Sequence, residues 1–218
     1  MGQRTNGATL HYIYDPLCGW CYGFSPLVHA AREVEGLTIR MHGGGMLAGH
    51  ARQLVTAAVR EFIMTHVPRV TAITKARFGE AYTDGLLRDP TTMLDSEPAT
   101  AAVLAAEGIA GRGLDMLKRI QNAHYLEGAR VVERKELLAL GVDIGLDGAA
   151  FEAEFARMLG TIVQSHIDAS RRFLVQVGGQ GFPTFALEKD GRFEIVEMSR
   201  WLGQTDAWQA ALKAKVAN

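Results

Sequence analysis

The chain has only two cysteines, Cys18 and Cys21, which lie three residues apart. A short apolar and aromatic run at residues 10–14 precedes them and predicts a buried β-strand, and apolar residues at helical spacing follow them. A disulfide between neighbours so close would add little stability to a chain of 218 residues, because it closes a very small loop. The fold must therefore rest on a hydrophobic core, with both sulfur atoms at a strand–helix junction.

The pattern of apolar residues predicts an α/β fold that a helical segment interrupts. The helix after the cysteines ends at Gly36, and residues 37–41 predict a second strand. The order strand, helix, strand indicates a parallel unit. Residues 46–174 predict helices throughout and no strand, with Ser96 as the N-cap of one helix.

Strand signals return near the end of the chain. Residues 184–187 and 193–196 each predict a strand, and Asp190 and Gly191 between them form a typical hairpin turn. A final amphipathic helix follows. We predict two domains with these bounds: a discontinuous α/β domain at residues 1–45 and 175–218, and an inserted helical domain at residues 46–174.

The position of the C-x-x-C pair predicts redox chemistry. The thiolate is the reactive form of cysteine, and the free N–H groups and dipole at a helix N-terminus stabilise it. A cysteine at the start of the helix is therefore activated, and one three residues later lies a turn away, close enough to form a disulfide with it. Zinc is the rival interpretation, but there is no second cysteine pair and the seven histidines are scattered. We predict no metal site.

Charge and hydropathy exclude several classes of function. The formal net charge of -1 argues against binding to a phosphate backbone, so no nucleic acid is expected. No run of 18 or more apolar residues is present, so no membrane partner is expected either. Residues 1–8 are polar and predict no targeting segment, and the expected location is the cytoplasm.

A second motif, Gly181-Phe182-Pro183-Thr184, stands at the entrance to the late strand. Proline is tolerated as the first residue of a strand, and a cis bond before proline is a conserved feature where it occurs. These residues by themselves leave both a trans and a cis bond open.

A glycine-rich loop at residues 43–48 follows the second predicted strand and fits the pattern G-x-G-x-x-A. A dinucleotide site would need an acidic residue at the end of a later strand, and Glu61 near that distance lies in a predicted helix. We interpret the loop as the exit into the helical segment, and we expect no cofactor.

Together, these motifs and the order of elements resemble the thioredoxin superfamily, and more narrowly the DsbA family, in which a helical domain interrupts the thioredoxin fold. Residues 14–24 and 121–128 are similar to the FrnE-like branch of disulfide isomerases. The resemblance covers nearly the whole chain. It implies that Cys18 is the exposed nucleophile, that Cys21 is the buried resolving thiol, and that Pro183 is a cis-proline packed opposite the pair.

The resemblance also implies contacts to substrate. The backbone of Phe182 would bind an extended substrate beside the proline, and we include Thr184 among the substrate-binding residues. Trp20 lies between the two cysteines, where we expect it to be partly exposed and to contact substrate.

One position departs from the superfamily. Many thioredoxins carry a buried acid six residues before the nucleophile, as the proton acceptor for the resolving thiol, and that position is Tyr12 here. Asp15 is a possible substitute, although an aspartate before a proline is equally typical of a turn that ends a strand.

We therefore predict a thiol–disulfide oxidoreductase or disulfide isomerase that acts on protein, peptide or glutathione thiols and disulfides. Its redox partner and the direction of electron flow do not follow from the sequence. A glutathione-dependent transferase or isomerase, similar to the kappa class or to 2-hydroxychromene-2-carboxylate isomerase, is the first alternative. Such enzymes typically have serine at the nucleophile position and lack the second cysteine. A non-catalytic peptide-binding module is the other alternative.

Overall fold

A computed structural model describes residues 7–217, and most of the polar stretch at residues 1–8 lies outside them. The chain begins with a parallel β-α-β unit: β1 (Ala8–Tyr14), α1 (Gly19–Arg32) and β2 (Leu37–Gly43). Every residue of β1 except one is buried, as its apolar sequence predicts. The cysteine loop therefore follows the end of a strand at the centre of the fold.

The main sheet has four strands in the order β2-β1-β5-β6. β5 (Thr184–Lys189) runs antiparallel to both β1 and β6 (Arg192–Ile195). The predicted hairpin turn is confirmed, with φ of 49° at Asp190 and 72° at Gly191, which are the positive values that such tight turns require. The central position of β1 brings the start of β5 beside the cysteine loop.

The segment between β2 and β5 is mainly helical, but the prediction that it contains no strand is wrong. β3 (Gln53–Leu54) and β4 (Met93–Leu94) form a small antiparallel sheet. Strands of two residues are too short to show the alternation of apolar and polar residues that marks a strand in sequence. The helices of this segment are α2 (Ala57–Thr74), α3 (Ser96–Ala110), α4 (Gly113–Tyr125), α5 (Arg134–Asp143), α6 (Gly148–Met158) and α7 (Thr161–Gln176).

The start of α3 also differs from the prediction. Asp95, not Ser96, is the N-cap, and its carboxylate accepts a hydrogen bond from the backbone N–H of Glu97 at 2.9 Å. The Ser96 hydroxyl instead donates to the carboxylate of Asp15 at 2.9 Å and accepts from the N–H of Leu47 at 3.1 Å. The start of α3 is thus attached to the cysteine loop. The predicted domain bounds stay a prediction.

Neighbouring residues of β1 face opposite sides of the sheet, because strand side chains alternate. On one side Tyr12 stacks on Phe185, with ring centroids 4.8 Å apart, and α1 and α8 (Thr205–Ala217) pack together there, with Trp208 Nε1 donating to a carbonyl of α1. On the other side His11 packs against Phe173 of α7. Among residues 7–217, no helix has both the length and the apolar character needed to cross a bilayer.

Candidate active site

Cys18 is the N-cap of α1, directly before the first helical residue. Its Sγ accepts a hydrogen bond from the backbone N–H of Cys21 at 3.4 Å, so a free donor of the first turn points at the sulfur. The thiol also lies 3.5 Å from the carbonyl oxygen of Phe182, to which it donates. Both cysteines are free thiols. The sulfur of Cys18 therefore lies where the free N–H groups of a helix N-terminus point.

The two thiols differ less in exposure than the resemblance implies. Cys18 is 5% exposed and Cys21 is fully buried. The expectation that Cys18 is exposed is wrong, because residues of the helical segment and Phe182 enclose the cleft that its side chain borders. Burial, and next the hydrogen bond and charge of Cys18, raise the pKa of the Cys21 thiol.

Asp15 is a fully buried carboxyl group in the loop between β1 and α1. It accepts hydrogen bonds from Leu17 N at 2.8 Å, from the Ser96 hydroxyl and from Met46 N. Its own backbone N–H lies 3.5 Å from Cys21 Sγ. Burial raises the pKa of Asp15 to about 6, although the three hydrogen bonds act to lower it. This carboxyl group therefore titrates near pH 6, and the backbone of the same residue contacts Cys21.

Tyr12 occupies the position at which many thioredoxins carry an acid. Its hydroxyl donates to the carbonyl oxygen of Cys21 at 3.3 Å, and burial raises its pKa well above the usual value for tyrosine. A neutral phenol with its hydroxyl engaged does not accept a proton at neutral pH. Asp15 instead contacts Cys21 Sγ through its backbone N–H, and the charge of its carboxyl group acts to raise the pKa of Cys21.

The loop before β5 lies opposite the cysteines. The peptide bond between Phe182 and Pro183 is cis, as the resemblance implies. The ring of Phe182 packs on Gly44, where a Cβ atom would stand 2.2 Å from ring carbons. The Thr184 hydroxyl donates to the carbonyl of Gly181 at 2.7 Å, so this hydroxyl is engaged within the loop.

Two openings share the half-buried side chains of Trp20 and Phe182, and Cys18 lines the first of them. The first, which we call the apolar cleft, has a volume of about 610 Å³ and lies between Cys18 and α2. The second, which we call the proline groove, has a volume of about 540 Å³ and runs past Pro183 and Thr184. Five of the predicted site residues thus lie around two connected openings, while Asp15 and Cys21 lie beneath them.

Several residues of the site were not predicted. Ser96 and Met46 hold the Asp15 carboxylate. Arg171 of α7 donates to the carbonyls of Gly44 and Gly45, and its charge acts to lower the pKa of Asp15. Ser96 and Arg171 are 81 and 156 positions from Asp15 in the chain, and no local pattern joins them to it. The glycine loop therefore has a structural role at this site.

No group of three or more His, Cys, Asp or Glu side chains suited to a metal ion is found in the part of the chain that the structure describes. The remaining cluster of polar side chains near the sheet, His11 with His42 and Glu188, lies on the α7 side, away from the cysteines.

Comparison with known proteins gives a family and a set of similar structures. Residues 9–211 match the family described as DSBA-like thioredoxin domain. The cytosolic disulfide reductase DsbM from Pseudomonas aeruginosa is 50% identical, with a TM-score of 0.90, and the match covers 96% of this chain and 98% of that one. The structure of DsbM with GSH is 48% identical, with a TM-score of 0.89, over 96% and 100% of the two chains.

The structure of 2-hydroxychromene-2-carboxylate isomerase has a TM-score of 0.59 at 13% identity, over 96% of this chain and 98% of that one. At this identity the similarity concerns the fold alone. No curated protein sequence matches the chain significantly.

Proposed function

Because the chain belongs to the DSBA-like thioredoxin domain family and is a thiol–disulfide oxidoreductase, we propose that it works as a disulfide reductase with Cys18 as nucleophile and Cys21 as resolving thiol. The observation that carries the proposal is the position of Cys18 Sγ at the N-cap of α1, where it accepts the N–H of Cys21. The similarity to DsbM over nearly the whole chain supports the reducing direction. Isomerisation, the other predicted activity, would use the same nucleophile.

The proposed reaction has two exchange steps. The Cys18 thiolate attacks one sulfur of the substrate disulfide, the substrate S–S bond breaks, and the first thiol leaves with a proton from solvent. The Cys21 thiolate then attacks Cys18 Sγ, which releases the second thiol and leaves a Cys18–Cys21 disulfide. The substrate has gained two electrons and the enzyme has lost two. Two molecules of a thiol reductant, such as glutathione, restore the dithiol and leave as a disulfide.

We propose Asp15 as the acceptor for the proton of Cys21. Burial raises the pKa of the thiol, so that the proton must be removed before the second step. The Asp15 carboxyl group, with a pKa of about 6, is mostly ionised at neutral pH and can still take up a proton. Its backbone lies against Cys21 Sγ.

The residues around the openings supply the proposed substrate contacts. Phe182 presents its carbonyl oxygen next to Cys18 Sγ, where an extended substrate would lie beside Pro183. Trp20 borders both openings and would contact either half of a disulfide. For Thr184 we propose a role in shaping the loop as well as in binding, since its hydroxyl is bonded to Gly181.

Glutathione, as reductant or as half of a mixed disulfide, is the substrate class that we propose first. DsbM, which is 48% identical to this chain in that structure, has been solved with GSH. The similarity to a cytosolic reductase also supports a cytosolic location. A disulfide reductase needs a reduction potential below that of its disulfide substrate, because electrons then pass from its two thiols to the substrate.

The test is the reduction potential of the Cys18–Cys21 pair, measured by equilibration with glutathione buffers, together with turnover of glutathione disulfide. We expect a potential below about −200 mV, nearer to that of thioredoxin than to that of secreted DsbA. A potential near about −120 mV would contradict the reducing direction. Glutathione binding without any disulfide reduction would favour the transferase or isomerase alternative, and loss of both with capture of a peptide would favour the binding module.

A further inference from the structure

The helix α2 has an apolar face that the protein core covers only in part. Val59, Phe62, Ile63, Val67 and Val70 follow one stripe at helical spacing, and all five line the apolar cleft. Val70 is the only buried residue among the 18 of this helix, and Phe62 is 65% exposed. An amphipathic helix normally buries its apolar stripe against a core. Here Val59, Ile63 and Val67 pack against the core in part, and the stripe also faces an open cleft.

The opposite walls of the cleft are also uncharged. Phe78, Tyr82 and Tyr125 line it from the helical segment, and Trp20 lines it from α1. None of the described residues around the cleft is Asp, Glu, Lys or Arg, and its polar side chains include Gln53, His66 and His124. His124 is a wall residue whose burial lowers its pKa to about 4, so it is neutral at neutral pH. An apolar, uncharged group fits these walls, whereas a charged group would lose its hydration without gaining a partner.

The cleft is continuous with the sulfur that reacts. Cys18 forms part of its wall and is only 5% exposed, so a disulfide reaches Cys18 through an opening rather than across a flat surface. The volume of about 610 Å³ lies within the usual range for small-molecule sites. A group attached to the disulfide under attack would therefore fill the cleft and cover the stripe of α2.

From these observations we infer that the apolar cleft binds the uncharged, apolar half of a small-molecule mixed disulfide whose other half is glutathione. The inference rests on the proposed function, because it names the substrate class of the same sulfur. Burial of apolar surface against these walls favours binding, so we expect the cleft to bind an aryl or alkyl thiol group more tightly than a small polar one.

Three mixed disulfides of glutathione test the inference on the full chain. Their other halves are 2-phenylethanethiol, 2-mercaptoethanol and 4-(mercaptomethyl)benzoate. We expect kcat/KM for the phenylethyl probe to exceed that for each of the other two at least about 10-fold, the size of effect that apolar pockets give. The phenylethyl and benzoate probes both carry a benzene ring, so the difference between them measures the effect of the charge.

A pair of variants on one helix locates the site. Ile63→Glu places a charge in the wall of the cleft, while Ile73→Glu makes the same change on an Ile of α2 that is 49% exposed and lies outside the cleft. We expect Ile63→Glu to lower the ratio of phenylethyl to hydroxyethyl kcat/KM at least about 10-fold and Ile73→Glu to leave it unchanged. Thermal unfolding of both variants checks that each is folded.

The outcomes separate the inference from the proposed function. Equal kcat/KM for the three probes, or an equal change of the ratio in both variants, would overturn the inference and leave the reductase intact. No turnover of any probe by the unaltered protein would overturn the proposed function. A glutathione mixed disulfide of a Phe-Cys peptide that outperforms the phenylethyl probe at least about 10-fold would overturn the small-molecule class in favour of peptides.

Discussion

The surroundings of the two thiols differ sharply although one helical turn separates them. The surroundings of Cys18, which we call the rim, include Trp20 and Phe182. Cys18 lines the apolar cleft, and these two side chains also border the proline groove. The surroundings of Cys21, which we call the interior, are closed, with the thiol fully buried against the backbone of Asp15. In the proposed reaction this contrast corresponds to a division of labour: Cys18 at the rim would attack the substrate, and Cys21 in the interior would react in the second step.

The difference arises from the helix itself. Cys18 precedes the first helical residue, so its sulfur lies at the N-terminus of α1, where N–H groups are free. Cys21 lies inside the first turn, where the helix faces the sheet and Tyr12 donates to its carbonyl. The N–H of Cys21 points at the sulfur of Cys18, whereas burial raises the pKa of Cys21 although the N–H of Asp15 lies against its sulfur.

The strongest test of this contrast exchanges each thiol for a hydroxyl. We expect Cys18→Ser to reduce turnover to the uncatalysed rate, because the attacking thiolate is gone. Cys21→Ser should retain the first attack and accumulate a mixed disulfide at Cys18, because no second thiol resolves it. Mass spectrometry of the protein after incubation with glutathione disulfide detects the adduct. Equal amounts of adduct in both variants would contradict the division of labour.

The second test removes the carboxylate of the interior. Asp15→Asn should slow resolution of the mixed disulfide roughly 100-fold, the size typical of lost general base catalysis, with little change in the first attack. The rise of the resolution rate through pH 6, where Asp15 ionises, should disappear. Stopped-flow release of the second thiol between pH 5 and 8 measures both effects. An unchanged pH profile would show that another group takes the proton.

The same carboxyl group affects stability with a defined sign. Its pKa is raised from 3.8 to about 6 in the folded chain, so between these values the folded state holds more proton than the unfolded state. The free energy of unfolding contributed by Asp15 therefore falls as pH rises through this window, by roughly 3 kcal/mol in total. Urea unfolding at pH 4 and pH 7 should give a smaller difference for Asp15→Asn than for the unaltered chain if this carboxyl group is responsible.

Much of this site follows from short stretches of sequence. The apolar run of β1 and the turn residues of the β5–β6 hairpin are local signals. The C-x-x-C pair lies between a strand and a helix, so its position follows from its neighbours. The family resemblance added the cis bond at Pro183. These features depend on periodicity and on motifs that a chain displays within about ten residues.

What was missed depends on contacts between distant segments. The burial of Cys18 arises because the helical segment encloses the cleft, and Ser96 was assigned to a cap when it in fact reaches Asp15 across 81 positions. The helical prediction for residues 46–174 gives no bounds for α5, since only three of its ten residues are buried and they give no long apolar stripe. A local sequence pattern does not show which helices and strands pack against each other, so it cannot predict these contacts.

A smaller effect tests whether the rim depends on its supporting loop. Gly44→Ala places a Cβ 2.2 Å from the ring of Phe182, whose carbonyl lies beside Cys18. We expect a loss of about 1–3 kcal/mol in the free energy of unfolding and a lower rate of the first attack, while resolution by Cys21 is unaffected. Gly181→Ala is the control, since a Cβ there meets nothing within 4 Å, and it should change stability by no more than about 0.5 kcal/mol. A loss of equal size in both variants would count against a specific role for Gly44.

The variant Tyr12→Phe, for which we expect the smallest effect, tests whether Tyr12 takes part in proton transfer. Its hydroxyl makes one long hydrogen bond, 3.3 Å to the carbonyl of Cys21, and its ring stacks on Phe185. Tyr12→Phe keeps the ring and removes the bond, so we expect a loss of about 0.5–1.5 kcal/mol in the free energy of unfolding. The pH profile of the resolution step should stay as it is in the unaltered chain, because the phenol remains protonated throughout that range. A changed profile in Tyr12→Phe would assign the proton route to the tyrosine and away from Asp15, and the interior would then work through a hydroxyl instead of a carboxylate.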